Sequence, residues 1–469
     1  MTAGTISAGR NWLPALAVAG YAAAVAVARG TAQWVLAAPL AIAPIAWWLI
    51  VSPTAWVSLF FVVVTLAPPI AAGVGDSGVH PSMIVAAAGV AIGALRLREW
   101  RFPLSAEGRA LVLFAAVLLL SLAPAAFFSG PEIALQSLAR AGLFCISVYV
   151  FLYVAAGPGR EAVVPLRLVY GVALMAAAFA CLDFYYQFPA PAGFEQQFVW
   201  LETGVYRRAQ GLFYEATELG SFCTFFLVMT AVGLVHRVGN RMVLIAGGAL
   251  FAAALIFSYS RSAVLSLLIA LAALITLERA RPVVRRLIAW LSGALAAGAV
   301  LAYQLFPAFF DLYLLRWWNS AAAALLLGDE HALGNRVEAW RILLRFLGEH
   351  PWHALIGVGY KTLPYSDYIG EPVIADNMYL SMLVETGVIG LAALLLLNFT
   401  ILRAGYRAAR SGELQRSFYG AWIFCFWCGE TVQMLSGDLL TYWRVLPLFF
   451  WVLSMAVKTG AVKTAPVRK

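Results

Sequence analysis

Two arginines stand at the edges of long apolar runs, where a positive charge is costly unless something pairs with it. Arg208 lies in YRRAQGLFYEATELGSF and Arg261 lies in FSYSRSAVLSLL. A guanidinium group presents a planar fork of donors that matches the oxygens of a phosphate. Either arginine alone is explained by a side chain that reaches out to lipid headgroups. The two together, flanked by small residues, favour a clamp for phosphate groups at a membrane face.

An acid and an amide form the second candidate pair. Asp376 and Asn377 occur in EPVIADNMYLSMLVETGVIGL, where a polar turn meets a long apolar run without a gap. The simplest explanation is a cap at the N-terminus of a helix, because Asp and Asn side chains accept hydrogen bonds from the first free N–H groups. Capping does not exclude a second, chemical role at the same boundary.

The segment HALGNRVEAWRILLRFLGEHPW predicts an amphipathic helix. Asn335 can cap it, with Glu338 three residues later, as in a capping box. Its apolar side is predicted to comprise Val337, Trp340, Leu344 and Leu347. One interpretation is a helix that lies on the bilayer surface with its arginines reaching the headgroups. The other is a lid over a lipid-phosphate site, with Arg336 or Arg341 pointing inward.

The composition identifies the elements that must position these residues. The chain has 469 residues, of which 63% are hydrophobic and 12% charged, and its mean hydropathy is +0.84. A soluble protein is about 45–50% apolar and about 25% charged. A membrane-spanning helix needs about 20 mostly apolar residues. Such runs are found at 12–28, 32–50, 53–72, 82–95, 109–128, 138–156, 163–182, 211–235, 242–258, 262–277, 287–305, 378–401, 417–436 and 444–457.

These runs predict an all-α polytopic membrane protein with about 12–14 transmembrane helices. We expect them to form a single domain over residues 1–469. Lys and Arg residues are concentrated in one set of short loops, which places both termini in the cytoplasm by the positive-inside rule. The segments 184–210 and 306–375 then become a short and a long periplasmic loop. A connection as long as the second is usually functional.

The net charge of +9 comes mainly from the cytoplasmic loops. It indicates contact with anionic membrane lipids. It does not indicate nucleic acid as a partner, because no basic stripe with interleaved aromatic residues occurs on a soluble domain. The three histidines of the long loop lack the spacing of a zinc site, so no metal ligands are predicted.

Several aromatic residues crowd the long loop and its end. Trp340, Tyr360 and Tyr379 are explained either by an interfacial aromatic belt or by stacking on sugar rings. Further on, SGDLLTYWRVLPLFF places Asp438 and Arg444 at the same boundary. These two residues are expected to pair with each other, or Asp438 to serve an acceptor substrate.

Four stretches of the sequence resemble the O-antigen ligase and O-antigen polymerase superfamily of bacterial membrane glycosyltransferases. The resemblance covers about residues 200–391. It rests on the order of the four stretches and on their spacing around the long loop. The stretches are RRAQGLFYEATELGSF at 207–222, SYSRSAVLSLL at 258–268, GNRVEAWRILLRFLGEHPWHALIGVGY at 334–360 and DNMYLSMLVETGVIGL at 376–391.

The resemblance implies an enzyme of the bacterial inner membrane with a GT-C-like helical fold. Such enzymes take a glycan from an undecaprenyl diphosphate carrier at the periplasmic face. They transfer it to another carrier-linked glycan or to lipid A–core, without a nucleotide sugar, a cofactor or an obligatory metal. The family's two phosphate-binding arginines fall on Arg208 and Arg261, and its loop arginine falls on Arg336.

One departure from the family's pattern concerns the acid–amide pair. Family ligases usually carry His-Asn where this chain has Asp376-Asn377. A carboxylate can replace an imidazole as the general base that accepts a proton from the attacking hydroxyl. With the diphosphate leaving from the opposite face, the transfer should invert the anomeric configuration.

The acid–amide variant favours an O-antigen or exopolysaccharide polymerase, with a chain-length regulator as a possible partner. The alternative is an O-antigen ligase. A third alternative, a polysaccharide transporter or flippase, would carry ionisable residues and broken helices near the middle of the membrane.

Overall fold

The computed structural model describes residues 47–49, 51–52, 54–68, 80–102, 104–160, 164–189, 196–201, 204–279, 303–304 and 336–458. The chain divides into two compact units, 1–57 and 58–469. Nearly all of the described residues belong to the second unit, and everything that follows concerns that unit.

The described part is a bundle of α-helices with one short β-hairpin, which confirms the predicted all-α membrane fold. The helices are α1 Ala55–Leu66, α2 Pro81–Leu95, α3 Ala106–Leu120, α4 Leu122–Phe128, α5 Pro131–Ala155, α6 Leu166–Tyr186, α7 Ala216–His236, α8 Arg241–Phe257, α9 Arg261–Leu277, α10 Arg336–Glu349, α11 His353–Ile356, α12 Met378–Ala409, α13 Leu414–Gln433 and α14 Leu446–Val457. The hairpin joins β1 Phe198–Leu201 to β2 Gly204–Arg207, with Phe198 opposite Arg207.

Within the described residues, five helical stretches are long and apolar enough to cross a membrane. They are α3 with α4, α5, α6, α7 and α12. Helices α1, α2, α8, α9 and α14 are shorter apolar helices. The predicted run 12–28, and nearly all of 32–50 and 287–305, lie outside the described residues. The predicted number of transmembrane helices therefore remains a prediction.

Polar side chains at the helix starts explain why the apolar segments begin where they do. Asn240 accepts hydrogen bonds from the backbone N–H groups of Met242 and Val243 at the start of α8. Ser260 does the same for α9 through the N–H of Ala263. These contacts satisfy N–H groups that have no partner inside the helix.

Helices α7 and α13 form the centre of the bundle, and almost every residue of α7 is buried. Phe225 of α7 packs on Trp422 of α13, whose indole nitrogen donates to the Phe225 carbonyl at 2.9 Å. A buried acid is also paired here. Glu430 of α13 accepts hydrogen bonds from Ser221 of α7 and Ser266 of α9, both at 3.2 Å. A buried polar group needs such partners to avoid a large desolvation cost.

Small residues let α9 approach both central helices closely. A Cβ atom at Gly220 would lie 2.8 Å from the Cβ of Ala263, and one at Gly429 would lie 2.3 Å from the Ser266 carbonyl oxygen. Small residues at such crossings are typical of helix packing in membranes. The crossing at Gly220 brings the first turn of α9, which carries Arg261, against the first turns of α7.

The loop after α11 is fixed to a kink in α12 by two glycines. Gly387 interrupts α12 with φ 70°, and a Cβ there would lie 2.2 Å from the Leu355 carbonyl oxygen. Gly357, with φ 74°, approaches the Glu385 carbonyl oxygen equally closely. The Val358 N–H donates to the Val384 carbonyl at 3.0 Å. This close backbone contact fixes the path of the loop and so positions the residues that follow, Tyr360 and Lys361.

The predicted amphipathic helix is present as α10, and its buried face overlaps the predicted one only in part. Leu343 and Phe346 pack against Val358, Val373 and Val384. Leu344, which was predicted on the apolar side, has 57% of its surface exposed. The prediction holds for Leu347, which packs against the same cluster, and is wrong for Leu344, because the 359–375 segment covers the helix from a direction that helical spacing alone does not specify. Asn335, the predicted cap, lies outside the described residues.

We predict that Gly387→Ala destabilises the protein. A non-glycine residue at this positive φ costs on the order of 1–3 kcal/mol, and the added Cβ would also meet the Leu355 carbonyl. The measurement is the midpoint of thermal unfolding in detergent, which should fall. The matched control is Gly348→Ala near the end of α10, where a Cβ has open space. An unchanged midpoint in Gly387→Ala would contradict the described contact.

Candidate functional site

A cavity of about 510 Å³ opens at the end of the bundle where α5, α7 and α12 begin. Its wall carries charged groups of both signs on a mostly apolar frame. The charged lining residues are Arg140, Arg208, Glu215, Glu218, Arg336, Lys361, Asp376, Glu385 and Asp438. The aromatic lining residues are Tyr214, Tyr360, Tyr365, Tyr442 and Trp443. Such a mixture suits a ligand that has both anionic groups and hydroxyl groups.

Asp183 holds the turn that carries Arg208. Its carboxylate, near the end of α6, accepts hydrogen bonds from the Arg207 guanidinium at 3.0 Å and from the N–H groups of Gln210 and Gly211 at 3.2 and 2.9 Å. The sequence analysis missed this residue. The available signal was an acid inside an apolar run, which marks a functional or structural site by default.

Three arginines meet beside the cavity, and we name Arg208, Arg261 and Arg336 the arginine cluster. Arg208 donates from Nε to the carbonyl of Ser258 at 2.9 Å, in the turn just before Arg261. Its pKa is lowered to about 10, first by burial and then by the charges of Arg261 and Arg336. Arg208 therefore remains a cation at neutral pH, although it is removed from water and lies near like charges.

Arg336, the first residue of α10, forms an ion pair with Asp376. Its Nε lies 3.1 Å from Oδ2 of Asp376, and 44% of the aspartate side chain is exposed. Asp376 has a left-handed backbone with φ 46°. The indole of Trp340 donates to the neighbouring Ala375 carbonyl at 2.7 Å and so supports this turn. Arg336 therefore lies at the cavity, as the interpretation of α10 as a lid requires.

Asn377 caps α12. Its side-chain oxygen accepts hydrogen bonds from the N–H groups of Tyr379 and Leu380, both at 3.1 Å. The capping explanation considered for the acid–amide pair thus applies to the amide, while the acid beside it faces the cavity. Asn377 is not among the residues that line the cavity.

A second ion pair lies on the other side of the cavity. Lys361 pairs with Asp438, and Arg140 of α5 donates to the Lys361 carbonyl at 3.3 Å while lying over the Tyr365 ring. The expected pairing of Asp438 with Arg444 was wrong. The sequence distance between Lys361 and Asp438 hid the actual pair, which depends on the glycine contact between the 357–359 loop and α12.

Arg444 is fully buried and holds separate backbone segments together. It donates to the carbonyls of Val64 at 2.8 Å and Ala67 at 3.0 Å, and also to the carbonyl of Leu212. Its guanidinium lies over the ring of Tyr214, which lines the cavity. A buried cation that is surrounded by carbonyl oxygens fixes several backbone segments at once.

The structure separates the residues predicted from the sequence into two groups. Arg208, Arg336, Asp376 and Tyr360 line the cavity, and Arg261 joins them through the arginine cluster. Four others lie outside the lining, and one of them is Asn377, the cap of α12. Arg341 is exposed and pairs with Glu338 at 3.1 Å, Trp340 contacts the Ala375 carbonyl, and Tyr379 donates to the Thr431 carbonyl at 2.7 Å. Their binding roles remain predictions.

Glu215 is a further cavity residue that the sequence analysis passed over. It stands immediately before α7, in the same stretch as Arg208, and one oxygen accepts a hydrogen bond from Thr217 at 3.0 Å. Its pKa is raised, first by burial, while the Thr217 hydroxyl opposes that shift. The sequence signal was an acid at the start of an apolar run, in the same stretch as Arg208.

The described residues contain no group of three or more His, Cys, Asp or Glu side chains that could hold a metal ion. The charged groups at the cavity contact one another instead, as in the Arg336–Asp376 and Lys361–Asp438 pairs.

The fold and cavity together define a class: a helical membrane protein with a charged site at one end of its bundle. Residues 246–395 match a family model described as O-antigen ligase. The resemblance to the O-antigen ligase and polymerase superfamily is thereby confirmed. This family is a glycosyltransferase-like class that acts on glycan and lipid substrates in a membrane. A comparison with curated proteins returns no match.

The matched segment includes fewer than half of the residues that line the cavity. It contains Arg261, Arg336 and Asp376, whereas Arg208 and Glu215 precede it. The arginine cluster therefore combines residues from inside and outside the match. The geometry, and not the match alone, joins them in one site.

We predict that Asn377→Ala lowers the free energy of unfolding by about 1 kcal/mol, because the cap of α12 is lost. Asn377→Ser keeps an oxygen that can cap the helix and should retain both stability and transfer activity. Thermal unfolding and activity measured on the same preparations check this. If Asn377→Ser folds normally but loses activity, capping is not sufficient to explain the residue.

Proposed function

We propose that the protein is an inverting glycosyltransferase that polymerises undecaprenyl-diphosphate-linked glycan at the periplasmic face of the bacterial inner membrane. The observation that carries this proposal is the arginine cluster beside Asp376 at one cavity. The cluster suits a lipid-linked diphosphate, and the carboxylate suits the activation of a sugar hydroxyl. The family match supports the same class of reaction.

The arginine cluster would bind the diphosphate of the donor and stabilise it as a leaving group. When the glycosidic bond breaks, its electron pair passes to the diphosphate, and the added negative charge requires nearby cations. Fixed guanidinium groups in a site shielded from water stabilise such charge strongly. Arg208 and Arg261 would contact the phosphates, and Arg336 would turn from Asp376 toward them when the donor arrives.

Asp376 would act on the acceptor. Once Arg336 contacts the diphosphate, the Asp376 carboxylate becomes free to accept the proton of the acceptor hydroxyl. The hydroxyl oxygen then bonds to the anomeric carbon from the side opposite the leaving diphosphate, which inverts the configuration. Tyr360, together with the other aromatic lining residues, would contact the sugars.

The acid–amide pair favours a polymerase for O-antigen or exopolysaccharide, because family ligases usually carry His-Asn at this place. A regulator of chain length is a possible partner of such an enzyme. The second candidate is an O-antigen ligase that transfers the glycan to lipid A–core. The family match supports both candidates in general and does not favour one over the other. Both functions use the same donor and the same arginine cluster.

The proposed orientation places both termini in the cytoplasm and the cavity in the periplasm. It rests on the positive residues of the short loops, which favour the cytoplasmic side. Membrane lipids would surround the apolar helices, and the polyprenyl chain of the donor would remain in the bilayer while its diphosphate reaches the cavity.

We predict that Arg208→Ala and Arg261→Ala each reduce glycan transfer by about 10²–10³-fold, the usual effect of removing a transition-state donor. Arg208→Lys should recover only part of the activity, because an ammonium lacks the forked geometry of a guanidinium. The assay measures product formation from a purified polyprenyl-diphosphate-linked glycan in detergent. Treatment with EDTA should leave this rate unchanged if the arginines supply the positive charge.

The matched control for the arginine variants is Arg345→Ala, an exposed arginine on the same helix as Arg336. It should transfer glycan at the wild-type rate. Arg341→Ala tests the remaining predicted phosphate ligand, and the exposed position of Arg341 predicts a small effect. Retained transfer in both Arg208→Ala and Arg261→Ala would refute the arginine clamp.

We predict that deletion of the gene leaves surface glycan that carries single, unpolymerised repeats. Gel analysis of the surface polysaccharide and of the carrier lipid checks this outcome. Long chains that remain on the carrier would instead identify a ligase. Restoration by the wild-type gene but not by Arg208→Ala would connect either phenotype to the proposed site.

A further inference from the structure

Glu215 occupies a central position in the cavity. It stands seven residues after Arg208, at the start of α7, and its side chain is only partly buried. Groups from several elements face it or interact with it electrostatically. They are Arg208, Glu218, Lys361, Asp376, Asp438 and Tyr442. It thus lies between the arginine cluster and the Lys361–Asp438 pair.

The carboxylates of the cavity differ in their partners. Asp376 is paired with Arg336, and Asp438 is paired with Lys361. Glu218 and Glu385 are buried in the wall. Among the described residues, the hydrogen bond to Glu215 comes from Thr217, and no described cation lies within salt-bridge distance of it. Glu215 therefore offers a carboxylate oxygen to a ligand without first breaking an ion pair.

The carboxylates around Glu215 affect its affinity for a proton. The negative charges of Asp376 and Asp438 both raise the pKa of Glu215, in addition to the larger effect of burial. Like charges that share a site cannot both ionise freely, so such a pair holds one proton more readily than an isolated acid. While Arg336 contacts Asp376, it offsets part of this repulsion.

The binding of a diphosphate would change that balance. Under the proposed function, Arg336 turns toward the donor, and Asp376 then faces Glu215 with less compensation. The affinity of the two carboxylates for a proton rises at the moment when the acceptor hydroxyl must release one. Electrostatic coupling of this kind needs no large movement of the backbone.

We infer that Glu215 is a second catalytic carboxylate, which together with Asp376 receives the proton of the acceptor hydroxyl. This inference rests on the proposed function. The acceptor hydroxyl touches one oxygen of the pair, its oxygen bonds to the anomeric carbon, and its proton passes to the pair. The bond between that carbon and the phosphate oxygen breaks, and its electrons leave with the diphosphate. Water later removes the proton through the open cavity.

The first test compares rates as a function of pH for the wild type, Glu215→Gln, Asp376→Asn and the double variant. The probe is the purified polyprenyl-diphosphate-linked glycan of the transfer assay. Glu215→Gln should lower turnover at neutral pH by about 10²-fold or more, as expected for general-base groups. The acid limb of the rate–pH profile of Glu215→Gln should move to lower pH, because the negative charge of Glu215 no longer repels the other carboxylates. Glu215→Asp should recover part of the rate.

The double variant separates a pair from two independent residues. Groups that act as a unit show non-additive losses. Glu215→Gln with Asp376→Asn should therefore be about as slow as the slower single variant. If the loss of turnover in the double variant equals the product of the two single losses, the two residues do not share the proton. The inference also fails if the rate–pH profile of Glu215→Gln has the same shape and position as that of the wild type. Glu349→Gln, an exposed carboxyl at the end of α10, is the matched control and should behave as wild type.

A stability measurement gives an independent readout. Because the pKa of Glu215 is raised in the folded state, the folded protein binds this proton more tightly than the unfolded chain. Its contribution to stability is therefore lost as the pH rises from the ordinary glutamate pKa through the raised value. Glu215→Gln should melt at a higher temperature than wild type at neutral pH, and the difference should vanish near pH 4. A lower melting temperature at neutral pH would indicate a structural role.

The outcomes distinguish this inference from the proposed function. If the wild type forms no product from the lipid-linked donor, the proposed function fails. If the wild type transfers glycan and depends on Arg208, but Glu215→Gln transfers normally, only the role of Glu215 fails.

Discussion

The structure depends on keeping guanidinium groups charged at the boundary between an apolar bundle and water. Arg208 is desolvated enough for its pKa to fall to about 10, and two further arginines lie close to it. Such an arrangement is unfavourable unless other interactions hold it in place. Here Asp183, the Ser258 carbonyl and the close crossing of α7 with α9 supply those interactions. The proposed binding site for a diphosphate depends on this arrangement.

The same logic extends to the opposite side of the cavity. The glycine contact between the 357–359 loop and the kink of α12 fixes Lys361 next to Asp438, and Arg140 holds the Lys361 carbonyl. The positive φ of Asp376 in this region is the kind of local strain that persists only when the surroundings over-determine it. The backbone contact between the 357–359 loop and α12 thus positions the side chains of this cavity wall.

Much of the helical frame could be predicted from the sequence, because apolar runs of spanning length have few alternatives. Arg208, Arg261 and Asp376 could be selected because charges are rare and costly at such boundaries. The β-hairpin was not predicted, since four-residue strands in a loop have no distinctive pattern. Lys361–Asp438 and the buried face of α10 were missed because they depend on long-range packing. Glu215 was not selected, because a single acid beside an apolar run does not reveal which charged groups from other segments will surround it.

Arg336 links the two halves of the site, because it interacts with Asp376 and lies near the other arginines. If the protein has the proposed function, this arginine cannot fully serve the diphosphate and the aspartate together. Without a donor, the aspartate is held by its cation and is a poor base. With a donor, the cation is drawn to the phosphates, and the carboxylates gain affinity for a proton. A site built in this way activates the acceptor chiefly when a donor is present, which limits wasteful hydrolysis by water in an open cavity.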